Sequence, residues 1–122
     1  MIGFVTIGTS DFDRAIAFYD DLLGLIGIGQ LMKTERMKMY GTVKDGATLA
    51  VLIPQNKEPQ RPGNGNMVAI LASTKENIDN LYSRAIALGG SDEGEPGERV
   101  PTFYGAYVRD LDGNKLCFYC RF

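Results

Sequence analysis

The chain has 122 residues, 44% of them hydrophobic, which suits one domain with a core of ordinary size. Its net charge is −2, with acidic and basic residues interleaved and no basic stripe, so a nucleic-acid partner is not expected. There is no histidine, which removes the commonest metal ligand and the commonest general base at neutral pH, and with them every Ser-His or Cys-His nucleophile.

No apolar run approaches membrane-spanning length, and the N-terminal residues MIGFVTIGTSD have no basic leader, so no membrane partner is expected and the expected location is cytoplasmic. Gly3 to Thr9 alternates as a strand does. Ser10 reads as the N-cap of a helix whose apolar positions are Phe12, Ala15, Ile16, Tyr19, Leu22 and Leu23, with Gly24 as its C-cap. A glycine-interrupted stretch follows, then a strand around Lys38 to Val43. Asp45-Gly46 reads as a hairpin turn and Thr48 to Ile53 as a strand.

Pro54 to Asn66 carries prolines and glycines but no large apolar residue, and reads as a linker. Met67 to Ala72 is the next strand. Ser73 and Glu76 spell a capping box ahead of a helix with Ile78, Leu81, Tyr82, Ala85 and Ile86 on its apolar face, ended by Gly89-Gly90. Ser91 to Arg99 is polar and reads as a loop, with a short strand over Val100 to Phe103. Tyr104 to Phe122 reads as a β-hairpin turning at Asp110-Leu111-Asp112-Gly113-Asn114. If Tyr107 pairs with Cys117, both point to one face and Leu116, Phe118 and Cys120 to the other. Cys117 and Cys120 then lie on opposite faces, too far apart for a disulfide or a redox pair.

The chain repeats itself. Gly3-Phe4-Val5-Thr6-Ile7 falls on Asn66-Met67-Val68-Ala69-Ile70, and Ser10 on Ser73, at an offset of 63. Later an offset of 67 places Tyr40 on Tyr107, Asp45-Gly46 on Asp112-Gly113, and Leu49-Ala50 on Leu116-Cys117. The expected fold is α+β: two βαβββ modules, about residues 1–56 and 66–122 of a single domain, whose sheets form a cup with helices on the outer face. Phe4, Tyr40, Ala50, Met67, Tyr107, Cys117 and Tyr119 are the expected lining, a surface suited to a flat apolar or cationic small molecule. Arg36, Lys38, Arg99 and Arg109 are the candidate polar anchors. No residue is assigned a catalytic role.

VTIGTSDFDRAIAFYDDLLG near the start, GNGNMVAILA after the linker and PTFYGAYVRDLDGNKLCFY at the end resemble the glyoxalase/bleomycin-resistance/extradiol-dioxygenase superfamily, the vicinal oxygen chelate proteins. The resemblance implies paired βαβββ modules around a metal held by His and Glu, and, in small members, a homodimer. By the repeat registers the ligand positions here are Phe4, Ala50, Met67 and Cys117, which makes no metal site and implies no cofactor. The resemblance also extends to metal-free members that bind a small molecule without reaction. The reading favoured is such a binding protein. The alternative is a lyase, isomerase or dioxygenase-type enzyme with an unusual site drawing on Glu35, Glu98 or Cys117.

Overall fold

In the computed structural model residues 1–122 are described, the side chain of Asp45 excepted. The chain divides into two units, Met1–Arg61 and Pro62–Phe122. In the first, β1 (Phe4–Gly8) leads into α1 (Phe12–Gly24), followed by β2 (Gln30–Lys33), β3 (Met37–Tyr40) and β4 (Thr48–Leu52). The second repeats the order with β5 (Val68–Leu71), α2 (Lys75–Ala87), β6 (Ser91–Val100), β7 (Phe103–Arg109) and β8 (Lys115–Arg121). Each unit is thus βαβββ, and the fold is α+β.

The sheets have the same topology, β1-β4-β3-β2 and β5-β8-β7-β6. In each, the first strand runs parallel to the last, and the other neighbours are antiparallel. A parallel pair needs a long crossover, and the helix and two further strands supply it. Each helix buries one stripe: Ala15, Phe18, Tyr19, Leu22 and Leu23 on α1, Ile78, Leu81 and Ala85 on α2. Among the described residues no helix is long and apolar enough to cross a membrane.

Several local features differ from the sequence reading. The N-cap of α1 is Asp11, whose carboxylate accepts from Arg14 N at 3.1 Å; Ser10 Oγ instead accepts from Gln60 N at 3.0 Å. The N-cap of α2 is Thr74, accepting from Asn77 N at 3.1 Å, because Ser73 sits at a left-handed φ of 68° and its side chain cannot start the helix. Gly24 lies inside α1, and Leu25 is the C-cap. Residues 91–99 are not a loop but most of β6, the longest strand. Register shifts between Asp92 and Gly94, Gly94 and Gly97, and Glu98 and Val100 break its alternation. The expected strand at Val100 to Phe103 is instead the end of β6, a turn at Pro101 and Thr102, the latter at φ 66°, and the start of β7. The Asp45-Gly46 turn is a longer connection containing a 3-10 turn over Val43–Asp45.

Candidate ligand-binding face

A side chain's face follows from the strand register, because directly paired residues share one side of a sheet. In the first unit Val5 pairs with Leu49, Ile7 with Val51, Lys38 with Val51 and Tyr40 with Leu49. This is the α1 side. The Tyr40 hydroxyl donates to Asp20 Oδ1 at 2.8 Å, and its ring lies 6.3 Å from that of Tyr19. Burial and the neighbouring carboxylate both push the Tyr40 phenol well above its ordinary value, burial being the larger cause. Tyr40 therefore does not line the open face.

The opposite face of that sheet carries Phe4, Thr6, Ala50, Leu52, Met37 and Met39. Phe4 is 58% exposed, whereas Ala50 is fully buried. Met39 pairs with Ala50 as Tyr107 pairs with Cys117, so the residue equivalent to Tyr107 is Met39. The offset between β3 and β7 is 68, not 67, and that single step moves Tyr40 to the other side. Met37 and Met39 are the lining residues that sequence reasoning missed.

In the second unit Ala69 and Tyr107 both pair with Cys117, and Leu71 and Gly105 both pair with Tyr119. Leu116, Phe118 and Cys120 alternate onto the α2 side, where Tyr104, opposite Cys120, donates to Asp79 at 2.8 Å. The expected Tyr107, Cys117 and Tyr119 therefore do share the face away from α2, and Met67, 46% exposed, directly precedes β5. Phe103 folds over Gly105 and stacks on Tyr119, centroids 5.3 Å apart and planes 8° from parallel. A Cβ at Gly105 would stand 3.0 Å from the Phe103 ring, so the missing side chain makes room for the stack.

Tyr107 is the chemical centre of this face. Two cations approach it, the Arg99 guanidinium 5.3 Å and the Lys115 ammonium 5.6 Å from its ring centroid. Cys117 is its direct partner across β7 and β8. Burial raises the Cys117 thiol above its ordinary value, outweighing the lowering effect of Tyr107, Arg99 and Lys115. Burial and Cys117 raise the Tyr107 phenol too. A neutral thiol beside a neutral phenol is a poor nucleophile and a poor base near pH 7.

Of the candidate anchors, Arg99 alone lies on Tyr107. Arg109 is held by Glu93 at 2.8 Å and Gly113 O at 3.0 Å. Arg36 donates to Ile53 O at 2.6 Å, and Lys38 is paired to Asp20 at 2.7 Å on the α1 side. Lys115 was not singled out in the sequence; its place next to the Asp-Gly-Asn turn, two residues before Cys117, is the signal that marks it.

The chain matches the family model for the glyoxalase/bleomycin resistance protein/dioxygenase superfamily over residues 1–118. It belongs to that superfamily. A glyoxalase/bleomycin resistance protein from Albidiferax ferrireducens T118 has a crystal structure similar to it at TM-score 0.91 and 35% identity, over 99% of this chain and 98% of that one. A glyoxalase-related enzyme from Fulvimarina pelagi aligns at TM-score 0.78 and 21% identity, over 98% and 86%. A lactoylglutathione lyase from Agrobacterium tumefaciens aligns at TM-score 0.69 and 22% identity, over 98% and 92%. At those last two identities the likeness is one of fold. No curated protein matches the chain.

The superfamily implies a metal, and the residues here do not fit one. Phe4 and Ala50 offer no lone pair, Met67 a weak thioether, and Cys117 a buried thiol held neutral. Among the described residues no three His, Cys, Asp or Glu side chains stand together as metal ligands would.

Proposed function

We propose that this superfamily member is a metal-free small-molecule-binding protein whose ligand lies flat on the second unit's sheet face. The observation that carries this reading is the row of rings on one side of one sheet, Tyr107 beside Tyr119 stacked on Phe103, each only partly buried. Stacked rings with exposed surface match the flat body of an aromatic ligand. The enzyme reading finds less support, because the thiol and phenol at the centre of the face are both pushed away from neutral titration.

Native mass spectrometry of the purified protein, after exposure to a cell extract and gentle desalting, tests the reading. A discrete adduct is expected, and Tyr119→Ala should lose it while keeping the fold. Turnover of the retained molecule into a second species on incubation would favour the enzyme instead.

A homodimer is part of the same proposal. Phe4 on the edge strand β1 and Leu71 on the edge strand β5 are each 58% exposed, apolar surface that a second copy would cover. Sedimentation should give about twice the 13.4 kDa of one chain; a purely monomeric species at micromolar concentration sinks the dimer.

A further inference from the structure

We infer that the ligand of this face is an anion: a flat aromatic molecule whose carboxylate or phosphate group is held by Arg99 and Lys115 over Tyr107. The inference rests on the binding reading above and specifies the chemical class of ligand. It revises the cationic ligand that the aromatic lining alone allowed.

The charge pattern carries it. The whole chain is acidic, yet this face collects positive side chains. Arg109 and Lys115 pair across β7 and β8, and Arg121, opposite Phe103, lies 5.9 Å over the Phe103 ring. Arg99 reaches the face from β6 and sits over Tyr107. The carboxylate bonded to this group is Glu93, and it is already engaged by Arg109 at 2.8 Å. Among the described residues no ion pair within 4 Å joins a carboxylate to Arg99 or Lys115; Arg99 donates to the Glu95 carbonyl, and Glu93 feels the Lys115 charge only as a lesser influence beside its bond to Arg109. Two cations that share one aromatic ring repel each other, and an anion between them removes that cost.

The backbone is shaped to put Arg99 there. A Cβ at Gly97 would stand 2.8 Å from Arg99 Nη1, and one at Gly94 would stand 2.9 Å from the Tyr107 ring and 3.1 Å from Arg99 Nη2. Both glycines lie at the register shifts of β6, so the bulged strand and its missing side chains leave the space in which the guanidinium folds back onto Tyr107. A planar guanidinium over a ring keeps donors free for the fork that suits a carboxylate or phosphate. Lys115 adds a point charge from the opposite strand.

The test uses four probes with one body: 2-naphthoate, 2-naphthyl phosphate, 2-naphthalenemethanol and 2-naphthylmethylammonium. Each is titrated into the full chain by calorimetry or by chemical-shift changes of the tyrosines, at low and at high salt. At least one of the two acids should bind about tenfold tighter than the alcohol and the ammonium, with a preference that shrinks as salt rises. Whichever acid binds tighter names the anion. Arg99→Gln with Lys115→Gln should reduce the preference to within about twofold, and Lys115→Gln alone, at a strand surface, should remove part of it. If the alcohol or the ammonium binds as tightly as the acids, or the double variant keeps the preference, the anion site is wrong and the binding reading survives. If none of the four binds at millimolar concentration, both fall.

Discussion

Tyr40 and Lys38 share one oxygen: Asp20 Oδ1 accepts from the phenol at 2.8 Å and from the ammonium at 2.7 Å. Two successive outward positions of β3 are thereby tied to the last turns of α1, which fixes the helix on its sheet. Lys38 is 9% exposed and its stem packs along the sheet, so the carboxylate is what makes its burial tolerable. Tyr40→Phe should cost about 1.5 kcal/mol, the lower end for one hydrogen bond to a charged group, because the Asp20 carboxylate is half exposed. Asp20→Ala should cost about 2 kcal/mol, because it strands an ammonium as well as a hydroxyl. Urea midpoints at constant m-value check both, and an Asp20→Ala effect no larger than that of Tyr40→Phe would mean that Lys38 finds water instead.

How far the sequence carried follows from the same strand. Alternation and helical spacing placed β1, β4, β5, β7, β8 and both helices, because each carries several large apolar residues at the right period. The Tyr107–Cys117 pairing was legible because the Asp110 to Asn114 turn is short enough to set the register. Tyr40 was misplaced because the connection from β3 to β4 spans Gly41 to Ala47, longer than its counterpart, so the repeat slips by one residue and the side chain changes face. β6 was invisible for another reason. Ser91-Asp92-Glu93-Gly94-Glu95-Pro96-Gly97 has neither alternation nor β-branched residues, and it is a strand only because β7 offers it a partner. The cations on Tyr107 depend on that unseen strand, so the charge of the face could not be read before the structure.

Asp110 closes the β7–β8 turn. Its Oδ1 accepts the backbone N–H groups of Asp112 and Asn114, each at 2.9 Å, and Oδ2 accepts from Asn114 Nδ2 at 3.0 Å. The residue is 6% exposed, so these donors have little water to turn to. Asp110→Ala should destabilise the chain by about 2–3 kcal/mol, while Asp110→Asn, which keeps one acceptor oxygen, should lose about half of that. Because the turn positions Lys115 beside Tyr107, the alanine variant should also weaken binding of the naphthoate probe. Thermal melting together with that titration separates the two effects.

Burial sets the sign of the alkaline limb of stability. The Cys117 thiol and the Tyr40 phenol are both raised from ordinary values of 9.0 and 10.0. Folding therefore favours their protonated forms. The native chain holds protons that the unfolded chain releases, so stability falls as pH rises. The contribution of Cys117 is complete below pH 9.0 and is lost as pH climbs from there to its folded value; that of Tyr40 is complete below 10.0 and is lost higher up. Urea unfolding from pH 7 to pH 11 should show a downward slope beginning in the thiol range. Cys117→Ala should remove the first part of the slope and Tyr40→Phe a share of the second, the rest belonging to Tyr82, Tyr104 and Tyr107, whose phenols are also raised. A flat profile to pH 10 would show that the thiol is not desolvated as its position under Tyr107 requires.

The donor set at the superfamily's metal positions leads to a further expectation. Protein purified without added metal should carry well under one equivalent of zinc, iron or manganese by elemental analysis. Phe4, Ala50 and Met67 have no hard or borderline donor, and Cys117 is held as the thiol. A stoichiometric metal that disappears in Cys117→Ala would overturn the metal-free proposal and return the protein to the catalytic branch of its superfamily.

Gly97→Ala separates the placement of Arg99 from its charge. The new methyl would meet Nη1 at 2.8 Å, a contact that a flexible side chain escapes by swinging away. The backbone need not move much, so the stability cost should stay within about 1 kcal/mol. Arg99 keeps its charge and the protein its net charge, so any effect that depends only on the overall field should persist. What is lost is the seat over Tyr107. The acid probe should then bind about fivefold more weakly, while the alcohol should bind as before, because the rings of Tyr107, Tyr119 and Phe103 are untouched. Gly94→Ala should do more, since its methyl would meet the Tyr107 ring at 2.9 Å as well as Arg99 Nη2 at 3.1 Å, and the ring sits in a packed sheet that gives way less easily. It should weaken acid and alcohol alike and lower the melting temperature. If Gly97→Ala leaves the acid as tightly bound as in the parent chain, then Arg99 acts from wherever it happens to lie, and the two glycines of β6 serve the bulges alone.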